Sequence, residues 1–178
     1  MDDLNPKPLF PLEQPPKVDP AYFQKIDEEM KVLAEKIPAV AKQPSKKEVW
    51  CKIGDLWYGH PVTKLILRYR ALMWLRANPP DPRGQKFAKR LGPYVVRAQT
   101  KDFMEVFDYS ERHIQRILAE ARKALERPSK AIITVEEFCH LNGLNEDTIQ
   151  KKLDEVYTNR WNRIKNKHPL KKPKDDDD

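Results

Sequence analysis

The chain has 178 residues, 39% hydrophobic and 34% charged, with only five glycines and a formal net charge of +7. That composition suits one or two small domains, favours helices over a turn-rich β fold, and makes an all-α class the expectation. The longest apolar stretch, Val62 to Leu75, is broken by Lys64, Arg68 and Arg70 and is shorter than the ~20 residues a membrane-spanning helix needs, so no membrane partner is expected.

The opening MDDLNPKPLFPLEQPPK carries acid and proline where a secretory leader has a basic start and an apolar run, which makes the cytoplasm the expected location. Cys51 and Cys139 are too few and too far apart for a disulfide framework or a metal-binding pair, and read as small buried apolar residues. Charge is unevenly divided. From His60 to Gln99 there are 9 Lys and Arg against 1 acid, and from Thr148 to Lys174 there are 9 against 2, before the closing Asp175 to Asp178. The two remaining stretches each have a slight acidic excess. Such clustering is the footprint of a polyanion partner, although basic composition alone is also common in proteins without one.

Residues 1–20 form a proline-rich arm, with Leu9, Phe10 and Leu12 available either to a partner or to the body of the protein. A helical N-terminal part is expected over 21–78. Asp19-Pro20 signals a helix start, and Phe23, Ile26, Met30, Leu33 and Ile37 recur at helical spacing until Pro38 and Pro44 end that region. Glu48 to His60, with three aromatics and two glycines, is ambiguous. His60-Pro61 opens a helix to about Ala77 that is apolar on most sides, as a central helix is. Asp81 to Leu91 reads as a shorter helix and, beyond the Gly92-Pro93 break, another turn or two runs to Ala98.

Two stretches then follow the spacing of a helix-turn-helix, in which two short helices meet steeply across a sharp turn. Over 79–128 the first is TKDFMEVFDYSERHIQRIL, where Phe103, Met104 and Phe107 supply the inner face of one helix and Ile114, Ile117 and Leu118 that of the next. Asp108 takes the turn, Tyr109 the apolar position after it, and Ser110 the cap of a helix running to Glu126. Ser110, Glu111, Arg112, Gln115 and Arg116 are left facing outward, and Arg, Gln and Glu are side chains that read base edges. This stretch resembles the helix-turn-helix of bacterial DNA-binding regulators, which usually carry Ala where Met104 stands and Gly where Asp108 stands. An ordinary helical hairpin with a solvated polar face is the alternative.

The second stretch, over 129–168, is ITVEEFCHLNGLNEDTIQKKL. Thr134 and Glu137 have capping-box spacing, Gly143-Leu144 makes the turn, and Asn145 caps a helix with Ile149, Leu153, Val156, Tyr157, Trp161 and Ile164 on one side. It resembles winged-helix domains of the excisionase and MerR type, departing from them at Asn142, where an apolar residue is usual, and at Glu146 and Asp147, which phosphate would repel. Lys151 and the continuation through Arg160, Arg163, Lys165 and Lys167, with Lys171 and Lys172 on the tail of 169–178, are candidate phosphate contacts; a solubilising tail is the alternative.

No glycine-rich phosphate loop, nucleophile with a base, or histidine pair at metal-binding spacing is present in the sequence, so neither an enzyme nor a cofactor is expected. Leu65, Ile66, Leu72, Phe103, Phe107, Ile114, Leu118, Phe138, Ile149 and Leu153 are the expected core. The functional expectation is binding of double-stranded DNA, in transcription control or as an accessory factor in mobile-element recombination. An assembly adaptor of a phage or mobile element, contacting a protein partner or a second copy of itself, is the alternative.

Overall fold

A computed structural model describes residues 18–43, 49–79, 90–91 and 94–167. The fold is predominantly helical, with six helices and two short β-hairpins among the described residues: α1 (Pro20–Ala41), β1 (Cys51–Ile53), β2 (Leu56–Tyr58), α2 (Pro61–Ala77), β3 (Arg90–Leu91), β4 (Tyr94–Val95), α3 (Thr100–Phe107), α4 (Glu111–Ala124), α5 (Val135–Asn142) and α6 (Glu146–Lys167).

α1 starts where its signals lie, with the Asp19 carboxylate accepting from Ala21 N at 2.9 Å and Pro20 in the first turn. It runs through Pro38 rather than ending there. Pro38 falls in the last turn and is exposed, so the bond its missing N–H forgoes is one of the last in the helix. Ile26 and Leu33 are buried against Leu72 of α2, with Met30, Ile37, Leu65 and Tyr69 packed around them. The opposite face of α2 supplies Leu67 and Ala71 to the main core. Two-sided burial explains why this helix is apolar on most sides. The His60 ring caps it, Nδ1 accepting from Val62 N at 3.2 Å.

The ambiguous segment before α2 is a hairpin pairing Cys51 with Tyr58, Lys52 with Trp57 and Ile53 with Leu56. Cys51, Ile53, Leu56 and Tyr58 face inward, whereas Lys52 and Trp57 face out with the ammonium 4.6 Å from the indole centroid. The expectation of helix between 81 and 98 is corrected where the chain is described: Arg90–Leu91 pairs antiparallel with Tyr94–Val95. Val96 and Ala98 are also extended. Val96 O accepts from Val135 N, and Ala98 N donates to Ile133 O, both at 2.9 Å, so their bonds go across the chain instead of along a helix. Residues 80–89 lie outside the described residues.

α3 and α4 form one helical hairpin and α5 and α6 another, as the spacing predicts. Phe103, Phe107 and Phe138 bring them together, with the Phe103 and Phe138 rings 4.4 Å apart. The main core extends from Cys51 in the hairpin to Leu153 in α6. Leu72, Phe103, Ile114, Leu118, Phe138, Ile149 and Leu153 are buried as expected, while Leu65, Ile66 and Phe107 are half-buried at the core margins.

Candidate nucleic-acid interface

The turn of the first unit has the conformation its sequence suggests. Asp108 is left-handed, at φ 54° and ψ 42°, and the extended Ser110 accepts from His113 N at 3.4 Å to open α4. Ile114, Ile117, Leu118 and Ala121 point into the core, which leaves Glu111, Arg112, Gln115 and Arg116 exposed on the other face. The predicted residues Ser110, Arg112, Gln115 and Arg116 therefore lie together along the start of one helix. Gln115 donates to Glu111 at 2.9 Å. Arg116 lies over the Trp50 ring, 4.1 Å from its centroid, and Trp50 also stacks on His113 at 5.0 Å. Trp50 belongs to this surface and was not identified from the sequence, because only the tertiary fold brings the hairpin against α4.

Within the basic block from His60 to Gln99, three arginines of α2 are held in ion pairs, and Arg83, Lys86 and Lys89 lie outside the described residues. Arg68 bonds Glu29 at 2.6 Å, Glu126 at 2.6 Å and Ala124 O at 2.7 Å. Arg70 pairs with Asp55 and donates to Leu141 O at 3.1 Å, and Arg76 pairs with Asp27 at 2.8 Å. Hydrogen bonds from Arg68 and Arg70 hold the Glu29 and Asp55 carboxyls below the usual carboxylate range. Three of the four basic residues of α2 thus clamp helix to helix and helix to hairpin. The fourth, Lys64, lines a cleft of about 430 Å³ with Trp50, His60, Arg116 and Glu120.

In the second unit the capping box forms in full, Glu137 N donating to Thr134 Oγ1 at 3.1 Å and Thr134 N to Glu137 Oε2 at 2.9 Å. Glu137 is buried and pairs with Arg127. Gly143 takes the left-handed cap and Asn145 accepts from Thr148 N at 3.0 Å. Asn142, polar where the resembled domains are apolar, is fully buried and satisfied: Tyr58 OH donates to its Oδ1 at 2.7 Å, and its Nδ2 donates to Phe138 O at 2.8 Å. Glu136, Glu146 and Asp147 make the start of this unit acidic, and burial followed by the nearby Glu146 raises the Glu136 carboxyl.

The candidate phosphate contacts divide. Arg160 bonds Asp102 at 2.6 Å, Glu105 at 2.7 Å and Lys101 O at 3.0 Å, so its donors fasten α6 to α3. Lys151, Arg163, Lys165 and Lys167 are exposed, and Lys171 and Lys172 lie outside the described residues. The inward stripe of α6 ends sooner than its spacing suggests: Ile149, Leu153 and Val156 are buried, but Trp161 is 67% and Ile164 56% exposed. That end of the helix extends past the packed body, and Trp161 does not anchor it.

Among the described residues no helix is long and apolar enough to cross a membrane, and no group of three or more His, Cys, Asp or Glu side chains could hold a metal ion. No family model, curated protein or solved structure matches this chain.

Proposed function

We propose that the protein binds double-stranded DNA by inserting the start of α4 into the major groove. The observation that carries this reading is the exposed row Arg112, Gln115 and Arg116 on the helix that follows a left-handed turn and a serine cap. Arg matches the acceptor pair of guanine and Gln the donor and acceptor of adenine. Lys64 adds positive charge beside Arg116. Exposed Arg163, Lys165 and Lys167 at the end of α6 supply affinity that is blind to sequence, and Arg160 is left out because Asp102 and Glu105 hold it. The second unit, acidic at its turn, serves as a scaffold for the first. The setting is transcription control or mobile-element recombination.

Binding to a selected preferred site and to random duplex, each across a range of salt, tests this. Arg116→Ala should remove ~1 to 3 kcal/mol of discrimination and leave random-duplex binding nearly intact. Replacing Arg163, Lys165 and Lys167 together by Ala should weaken both duplexes alike and flatten the salt slope by about three. Equal losses on both duplexes for Arg116→Ala, or none, would reject α4 as the reading helix. The second reading, an assembly adaptor, is favoured by the exposure of Trp161 and Ile164 on one helix end.

A further inference from the structure

The cleft between α2 and α4 places two lysines and one carboxylate beside the stacked pair Trp50 and Arg116. Its first part, about 430 Å³, is lined by Trp50, Gly59, His60, Pro61, Lys64, Arg116 and Glu120. A second hollow of about 390 Å³ shares Lys64 and Glu120 and adds Leu67, Arg68, Ala119, Lys123 and Ala124. Both are of the size of small-molecule sites. Arg68 is neutralised by Glu29 and Glu126. That leaves Lys64, Arg116 and Lys123 around one acid, Glu120. Their charges act on Glu120 without an ion pair within 4 Å, and burial still holds its carboxyl above the usual range.

A ligand filling this cleft well would offer paired N–H donors to the carboxylate, an anionic group to the lysines, and a flat ring to the exposed Arg116 guanidinium, whose inner face lies on Trp50. Among nucleobases only guanine has two adjacent donors, N1–H and the N2 amino group, that span both oxygens of a carboxylate. Adenine and cytosine place an acceptor beside their amino group and would set a lone pair against Glu120. A 5′-phosphate supplies the anion, and a stacked base the ring. We infer that the cleft lined by Trp50, Lys64, Arg116, Glu120 and Lys123 binds a free guanine nucleotide, the base on Glu120 and the phosphate on Lys64 and Lys123.

Nucleotide binding here shares Arg116 and Lys64 with the DNA reading but does not require it, and the test contains no DNA. Isothermal titration of the full chain with guanosine 5′-monophosphate should give saturable one-site binding. Adenosine 5′-monophosphate and guanosine should each bind at least about tenfold more weakly, since each lacks one charge-assisted contact. Glu120→Ala and Glu120→Gln should both abolish the preference for guanine over adenine. Lys64→Ala with Lys123→Ala should weaken the nucleotide and leave guanosine unchanged. Melting temperatures no lower than the parent's would separate lost contacts from lost folding, all substituted side chains lying at the surface or the cleft wall. No saturable binding at millimolar nucleotide, equal affinity for the two monophosphates, or unchanged affinity in a folded Glu120→Gln protein would each overturn the assignment.

Discussion

Charged side chains in this protein are tuned in opposite directions by what surrounds them. Asp55 and Glu29 are held below the usual carboxylate range by Arg70 and Arg68, so their stabilisation is present above the unfolded carboxylate value of about 4 and is lost as pH falls through the folded one. Glu120 is raised, first by burial, so its contribution is present below the unfolded value and is lost as pH rises through the folded one. Melting curves between pH 3 and 7 should show both. Asp55→Asn should lower the melting temperature at neutral pH and Glu120→Gln should raise it, each difference shrinking as the pH drops below about 4. Parallel curves for the variants and the parent would contradict both assignments. The residue types alone carry none of this, because Glu120 and Glu29 are both helix-face glutamates until α2 packs between them.

At the scale of elements, the β1–β2 hairpin connects the two helical units. Tyr109, in the turn of the first unit, accepts from Lys52 N at 3.3 Å and donates to Lys52 O at 3.0 Å. The hairpin tip rests on the turn of the second: a Cβ on Gly54 would stand 1.9 Å from Asn142 O. Gly54 is also left-handed, at φ 58°. Gly54→Ala should therefore cost about 2 to 5 kcal/mol, from backbone strain and from a clash with main chain that cannot yield. Gly143→Ala meets the side chain of Asp55 instead, at 2.9 Å, and should cost less, about 1 to 2 kcal/mol from its own left-handed backbone. Urea denaturation of the two variants should give that order, and the reverse order would show that the tip does not bear on the turn. Alternation through Cys51, Ile53, Leu56 and Tyr58 about Gly54-Asp55 is a hairpin signal. Its brevity, three residues a side, and two tryptophans hid it.

At the scale of the whole molecule, α3 is fastened to α6 through a buried carboxylate. Asp102 is 2% exposed and is held by Tyr157 OH at 2.8 Å and Arg160 at 2.6 Å. Removing Arg160 leaves a buried carboxylate with one partner, a change that costs about 3 to 5 kcal/mol when a buried pair is broken. Arg160→Ala should thus appear first as a loss of thermal stability, with Asp102→Asn restoring part of it. Arg163→Ala, three residues on and exposed, should leave the unfolding free energy within about 0.5 kcal/mol of the parent. If Arg160→Ala melted like the parent while DNA affinity fell, Arg160 would belong with the phosphate contacts.

Local chemistry was enough to determine both helical hairpins from the sequence. Asp108 and Gly143 at the left-handed turns, Ser110 and the Thr134–Glu137 box at the caps, and apolar spacing through Ile114, Leu118, Ile149 and Leu153 all act within a few residues of chain, and each is found where its spacing predicts. The helix start at Asp19-Pro20 and α2, apolar on most sides, were legible for the same reason. Tertiary structure decided what the charges do. Arg68 and Arg160 meet Glu29 and Asp102 across 39 and 58 residues of chain, and Trp50 reaches α4 only through the hairpin. Spacing also could not say where the α6 stripe stops being covered, because burial of Trp161 and Ile164 depends on how far the neighbouring elements extend, and those end first.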